Sequence, residues 1–576
     1  MPRKPEYKPL LYTTTIRNPE RFKDFMHILK RFNGRILNNK TVELFERELF
    51  KVGLYRPMKR PETVQDKWKS TKNGELASKP LTDEETKDVY QQNDPQVNKS
   101  IKGHQEAGFP KGWPSRFDTQ FKLMKVLGFV YYEWGKPINF SQTGNYLADT
   151  VSIEIDSGAI SREIVNPQNE QIAFMQAFAK QQRCNPFICE LNDNIPLILL
   201  LEVIKKLNSD PDYNGSGISY KEIPLVIFWK DNDAESLYQR IKLLRKEHRY
   251  NPSNEVIEDI CVNEILGGFK KFDLDSIVSE YPDEFVRKMR MTGLISFRGG
   301  GRFIDINHNE DDKINYILAN YATYRKYTSK EEYFDYMSDI DDALFALKAV
   351  EIPKNVAADK LAKLVGDYSW DSIKKELTHL AKKTSSSHNI LRFIAAPARL
   401  EFLTALAIKS KLPAVEVIPN YPCDDEGLPT STAGGDIGDI ECFEASNSIL
   451  VEVTMSEGRQ QTMMEVWPIA RHLKELREKY ECENFQCVFL APSIFVDSEN
   501  QIDWVKDKKQ LVIRPYKIVD FINYLDTAAS LYQIVLSVCG KKGVMPLRMF
   551  MKVRFALSLC FVALRVYHSD RSPVEI

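Results

Sequence analysis

Along most of the chain, apolar residues recur every three or four positions; only near the C-terminus does the pattern change to short β-forming runs. An extended LLYTTTIR run is followed by RFKDFMHILKRF and TVELFERELFKVG, both with helical spacing. From Arg56 to Lys111 aliphatic residues thin out, and Pro, Asn, Gln, Lys and Glu take over. That composition predicts a polar insertion in the form of a flexible loop. Arg116 to Asp149 reads as helix, strand, turn, strand and helix, with Phe117, Phe121, Met124 and Leu127 on one face and Gly128 as the stop. This is the pattern of a winged helix. A second such unit spans Pro282–Asn307, where the triple glycine 299–301 reads as a wing turn. No Lys-Ser/Thr follows it at phosphate-loop spacing. Helical patterns at 171–182, 195–207, 234–248 and 254–266 lie between the two units.

Residues 309–383 hold amphipathic helices such as KINYILANYATYRKY and SWDSIKKELTHLAKK, and the hydroxyl-rich run Thr384–His388 marks a boundary. Beyond it the order is helix (Pro397–Leu412), strand (Asp439–Phe443), strand (Ile449–Met455), helix, strand (Phe485–Ala491), strand (Leu511–Pro515) and helix (Ile518–Leu525). That order describes an α/β core with a mixed sheet. A terminal helical patch, Leu547–Tyr567, is expected to pack back on it.

A chain of 576 residues is too long for one core, and 43% apolar with 28% charged residues is a globular composition. The longest apolar runs, Ile195–Ile204 and Phe555–Tyr567, are shorter than the roughly twenty residues a bilayer requires. The start, MPRKPEYKPLLYTTT, has no signal-peptide apolar region, so a cytoplasmic location without membrane attachment is expected. The nine cysteines form no framework: two C-x4-C spacings lack histidine partners and read as free thiols. Net charge is −1, but residues 1–72 carry eighteen Lys and Arg against eight Asp and Glu. A basic N-terminal segment is the electrostatic footprint of a nucleic-acid binder, and equally of a merely solvated surface.

The most informative stretch is GDIGDIECFEASNSILVEVTMSEGRQQTMMEVWPIARH. Asp439 heads one strand, and Glu452 interrupts the β-forming run of the next. An acid among Ile449, Leu450, Val451 and Val453 costs several kcal/mol if buried alone. Two carboxylates on adjacent strands repel unless a cation lies between them; a hard divalent ion such as magnesium suits oxygen donors, with the Val453 carbonyl as a further ligand. Glu465 and His472, seven residues apart, share a face if their helix is continuous, although Pro468 more naturally marks a helix start. Taken singly, Glu465 reads as a helix N-terminal acid and His472 as a surface histidine. Taken in order, after a helix bearing Glu401, they favour a metal site.

These residues carry a resemblance. The D…E-V-T strand pair resembles the PD-(D/E)xK nuclease fold. The whole chain is similar to the AlwI family of type IIS restriction endonucleases and their strand-nicking relatives, through KPLLYTTTIRNPERF, WPSRFDTQFKLMKVLGFV, the linker and AGGDIGDIEC…LVEVTMSEGRQQT…E…RH. The resemblance implies a multidomain protein: a mostly α winged-helix DNA-recognition lobe (1–308, with the insertion at about 56–111), a helical linker (309–388) and an α/β nuclease domain (389–576). It implies that Asp439 and Glu452 ligate Mg2+ (with Mn2+ as a substitute) together with Val453, and that Glu465, His472 and Glu401 complete the catalytic set. The chain departs from the common pattern at Gly438, where proline is usual, and at Thr454, where lysine is usual. Arg17 and Arg116 are candidates for base contacts and Lys122 for a phosphate contact.

The expected function is hydrolysis of double-stranded DNA at a fixed distance outside a short asymmetric site. Cutting both strands would take transient self-association or a small second nuclease subunit, and a cognate methyltransferase would share the prokaryotic cytoplasm. The rivals are a strand-specific nicking enzyme (the large subunit of a heterodimer), a DNA-binding regulator with an inactive nuclease domain, and an interaction scaffold.

Overall fold

The computed structural model describes residues 5–9, 21–57, 59–69, 76–77, 79–93, 106–156, 158–188, 190–213, 215, 217–347, 353–444, 447–482 and 485–536. Arg17, the LLYTTTIR run and the Leu547–Tyr567 patch lie outside them.

Helices Phe22–Lys30 and Asn39–Lys51 stand where the periodicity puts them. The second starts at Asn38, whose side chain accepts the Thr41 amide at 3.0 Å and satisfies one of the otherwise unpaired N–H groups of the first turn. The polar stretch 56–111 differs from the expected loop, because its described residues include helices Glu62–Lys69 and Asp83–Gln92. A reciprocal Thr82–Glu85 capping box starts the latter, and Val64, Trp68, Leu81 and Val89 are buried. A few large apolar anchors fix short helices to a neighbouring core, and average composition hides that signal. Part of the basic excess of residues 1–72 is paired with acids beyond them: Lys30 with Asp149 at 2.6 Å, Lys67 with Glu85 at 2.7 Å, and Lys23 with Glu170.

Helix Trp113–Val126 leads into a hairpin of β1 (Val130–Tyr131) and β2 (Asn139–Phe140), then helix Gln142–Ala148. Gly128 ends the first helix with a φ of +78°, and the Phe129 amide reaches back to the Met124 carbonyl at 2.9 Å. A second hairpin pairs β3 (Val151–Asp156) with β4 (Ala159–Ile164). After helices Pro167–Lys180 and Pro196–Ser209 comes β5 (Ile218–Ser219), followed by helices Ala234–His248 and Tyr281–Met291. The latter feeds β6 (Ile295–Arg298) and β7 (Phe303–Ile306), joined by a turn through Gly299–Gly301, in a small sheet ordered β5-β7-β6. Helices Asp311–Tyr321, Lys330–Ser338, Lys354–Leu364 and Trp370–Ala381 follow.

The C-terminal part is built on one mixed sheet of β8 (Glu416–Pro419), β9 (Ile440–Glu444), β10 (Asn447–Val453), β11 (Gln486–Ala491) and β12 (Ile513–Lys517). The order is β12-β11-β10-β9-β8; β8, β9 and β10 run antiparallel, whereas β10, β11 and β12 run parallel. Parallel neighbours need crossovers, and helices Arg459–Met464, Val466–Lys479 and Val496–Lys509 supply them. Both faces of β10 are buried. Ile449 and Val451 join the main core with helix Ala396–Lys411, while Leu450 joins a second core with Ile469, Leu473, Phe489 and Ile502. By the two-residue period, Glu452 belongs to the Leu450 face. Among the described residues no helix is long and apolar enough to cross a membrane.

Gly128 is confined twice, by its φ and by the Met337 backbone, whose carbonyl carbon lies 2.7 Å from where a Cβ would stand. Gly128→Ala is expected to destabilise the fold by about 1–3 kcal/mol. Urea unfolding of the variant should show the lower midpoint; an unchanged midpoint would mean that this turn relaxes freely.

Candidate active site

The β9–β10 register pairs Ile440 with Val451, so Asp439, one residue ahead of β9, stands opposite Glu452. The strands therefore bring together the two acids that the sequence separates by thirteen positions. The Val453 amide donates to Asp439 Oδ2 at 2.8 Å. Glu452 is buried, and its Oε1 lies 2.9 Å from His472 Nδ1. Burial first, and the Glu452 charge second, hold the Asp439 carboxyl well above the usual carboxylate range. Burial and the charge of Glu465 push Glu452 up to about 8. Each carboxylate therefore disfavours ionisation of the other.

Glu401 reaches the same place from the opposite face of the sheet. It is buried on helix Ala396–Lys411, and its Oε2 accepts the Ala433 amide at 2.9 Å. Burial dominates its raised pKa, with the charges of Asp439 and Glu452 adding to it. Glu465 is half-buried at the break between helices Arg459–Met464 and Val466–Lys479. Pro468 falls in the first turn of the second helix, so Glu465 stands at its N-cap position, without a side-chain cap bond, instead of sharing a continuous helix with His472. Burial raises Glu465, and the hydroxyl of Thr454 donates to its Oε1 at 2.7 Å in opposition. Thr454, where the common pattern has lysine, is thus tied to the third acid.

His472 is buried on helix Val466–Lys479 with its pKa lowered, chiefly by burial. Its Nδ1 faces Glu452 Oε1, and its Nε2 lies 3.3 Å from the Gly435 carbonyl and 3.4 Å from an Arg471 guanidinium nitrogen. The Gly435 carbonyl is 3.2 Å from that guanidinium. Gly438 admits the Glu452 carboxylate: a Cβ there would lie 3.0 Å from Glu452 Oε1 and 2.4 Å from Leu450 Cδ1. Close approach thus accounts for glycine at this position. Sequence reasoning missed Asn420, whose amide donates to the Asp439 carbonyl at 2.9 Å and whose Nδ2 donates to the Gly438 carbonyl at 2.7 Å. Its partners lie eighteen and nineteen residues away, beyond the reach of any local pattern.

Among the described residues no three His, Cys, Asp or Glu side chains are gathered closely enough to hold a metal ion as they stand. The acids are near enough to perturb one another without converging on a single point. The proposed DNA contacts are far from them in sequence and engaged locally. Arg116 donates to the Tyr55 hydroxyl and lies over its ring, 5.4 Å from the centroid. Lys122 pairs with Glu106 at 3.0 Å.

The raised acids carry a pH signature. Folding favours the protonated form of Glu452, so its contribution is fully present below about 4.5 and is lost as pH rises through about 8. In chelator, the stability of wild type relative to Glu452→Gln should fall across that window in urea titrations. A pH-independent difference would contradict the buried, mutually repelling arrangement.

Comparison with known proteins gives the chain a family. The model of the AlwI restriction endonuclease family matches residues 125–387 and 367–523, more than half of the chain. Among solved structures, the small subunit (R.BspD6I2) of the heterodimeric restriction endonuclease R.BspD6I is 24% identical, over 27% of this chain and 76% of that one, with a TM-score of 0.23. The restriction endonuclease FokI bound to DNA is 10% identical, over 90% of this chain and 96% of that one, with a TM-score of 0.21. No curated protein matches. On the extent of the family match, the chain belongs to the AlwI restriction endonuclease family and is a DNA endonuclease.

Proposed function

We propose that the chain is a magnesium-dependent, type IIS endonuclease that binds a short asymmetric duplex site and hydrolyses phosphodiester bonds at a fixed distance outside it. The observation that carries this reading is the acid set Asp439, Glu452, Glu401 and Glu465 at the β9–β10 strand ends, each with its pKa raised. The donor chemistry fits a hard divalent cation, because carboxylate oxygens that repel one another are relieved by positive charge. Asp439 and Glu452, with the Val453 carbonyl, would hold Mg2+ or Mn2+, and Glu401 and Glu465 would complete the set. When bound, such an ion stabilises charge on the phosphate and lowers the pKa of water.

The protein's own part is orientation. The Val453 amide aims Asp439, and the His472 imidazole, through Nδ1, aims Glu452. The Thr454 hydroxyl aims Glu465, the half-buried acid best placed to accept a proton from water. Threonine cannot supply the positive charge of a lysine, so in this reading the burden passes to Glu465, His472 and the cation. The strand pair, with its flanking helices, is read as a PD-(D/E)xK-like nuclease domain (389–576), joined by a linker (309–388) to a recognition lobe (1–308). The two helix–hairpin units of that lobe are read as winged helices. Arg17 is a candidate DNA contact. Arg116 and Lys122 would meet DNA by exchanging Tyr55 and Glu106 for bases or phosphates.

One acid cluster per chain attacks one strand at a time. The second strand then requires another copy or a small second nuclease subunit, and without either the product is a nick. The enzyme would act in a prokaryotic cytoplasm beside a cognate methyltransferase.

Incubation with plasmid and Mg2+, followed by mapping of both strand ends, is expected to give cuts at one offset from one sequence. Asp439→Ala should lower the cutting rate by more than about a thousandfold, the scale of several kcal/mol added to the barrier, while DNA binding persists. Mg2+ should raise the melting temperature of wild type and not of the variant. Undiminished cleavage by Asp439→Ala would remove this site from the reaction; unaltered biological effect with no cleavage in either protein would favour a regulator.

A further inference from the structure

The loop from β8 to β9 (residues 420–439) has two ends with different partners. At its far end the Ala433 amide meets Glu401, the Gly435 carbonyl meets Arg471 and His472, Gly438 lies against Glu452, and Asp439 is itself one of the acids. Its near end is a turn, Cys423–Pro429, closed by a bridge between those two residues and by the Asp424 amide donating to the Leu428 carbonyl at 2.9 Å. This turn is seated on hairpin β6–β7 and the helix before it. Arg290 meets Asp424 at 2.8 Å, with side-chain exposures of 5% and 0%, and also donates to the Pro429 carbonyl at 3.0 Å. Arg298 on β6 meets Asp425 at 2.5 Å, also pairs with Glu426, and is braced by Asp305 at 3.3 Å. Asp425 also accepts from the Ser296 hydroxyl and from the His308 amide at 3.2 Å, while its own amide donates to Asn307 Oδ1 at 3.1 Å.

A buried ion pair stabilises little in net terms, yet it is strict about geometry, because breaking it strands a desolvated charge. Arg290–Asp424 is such a pair, and the partly buried Arg298–Asp425 pair beside it, held by Ser296, Asp305 and Asn307, adds a second fixed contact between the two segments. Only nine residues lie between Pro429 and Asp439. The hairpin that sequence reading assigned to DNA recognition has Ser296 and Arg298 of β6, and Asn307 just after β7, turned onto the loop that carries the acids.

We propose that this clamp, Arg290 and Arg298 against Asp424 and Asp425, is a positioning device that sets which phosphodiester bond is cut. The inference rests on the nuclease reading of the Asp439 site and extends it. A rigid seat between the N-terminal lobe and the site loop converts the place of binding into one place of cutting, whereas a loose seat permits several.

The test maps cleavage ends, with Mg2+, on duplex carrying a site already mapped with wild type. Arg298→Ala and the milder Asp425→Asn are expected to bind that duplex as wild type does and to spread their cuts over neighbouring bonds. Arg298→Lys should restore much of the single cut. A single cut at the wild-type bond in both Arg298→Ala and Asp425→Asn overturns the proposal, whatever their rates. If a variant binds but no longer cuts, hydrogen exchange of residues 430–439 in the metal-free protein decides: faster exchange upholds the clamp, and unchanged exchange overturns it. Should Arg298→Ala fail to fold, Asp425→Asn alone decides on the same criteria. Asp439→Ala, run alongside, separates the two readings. Cleavage that survives in it removes the site assignment, whereas its loss together with a sharp wild-type cut in the clamp variants removes the clamp alone.

Discussion

The structure turns on burying carboxylates at the end of a hydrophobic sheet. β10 is apolar on both faces until Glu452, where the Leu450 face delivers an acid into a place already holding Asp439. Left uncompensated, such a cluster works against folding, and each neighbour acts to limit that cost. The Val453 amide, the Ala433 amide, the Thr454 hydroxyl and His472 each satisfy one carboxyl without neutralising the set. What remains is a directed demand for positive charge, the property that the proposed chemistry requires.

The same constraint orders the surroundings. Gly438 is glycine because the Glu452 carboxylate and Leu450 occupy the space of a side chain. The helix breaks at Glu465, so this acid stands at the N-cap position of Val466–Lys479 instead of projecting from its side. Asn420 holds the backbone on either side of the Gly438–Asp439 peptide, and the turn before it is seated on Arg290 and Arg298. From the acids outward, the site is supported first by its own strands, then by a loop, and finally by a hairpin from the N-terminal part of the chain.

Much of this was legible in the sequence, and for a physical reason. A β-branched run interrupted by an acid is costly without a partner, so Glu452 and the strand around it stand out, and the strand opened by Asp439 follows from the short turn. Strand β8 escaped notice because it is four residues long and ends at Pro419, and helix Val496–Lys509 because it buries only Ser498, Ile502 and Val505. The insertion helices escaped because Trp68 and Val89 are sparse anchors in a polar context. The partners of His472, Asn420 and Arg298 are set by tertiary packing, which no local period encodes. Pro468 did signal the helix start, and with it the altered place of Glu465.

The most direct test of the central claim is anomalous diffraction from crystals of the protein with duplex DNA and Mn2+. The account predicts a manganese peak bonded to carboxylate oxygens of both Asp439 and Glu452, at about 2.1–2.2 Å, next to a phosphate of the bound strand. A peak bound elsewhere, or DNA seated with no manganese at these two acids, would contradict it.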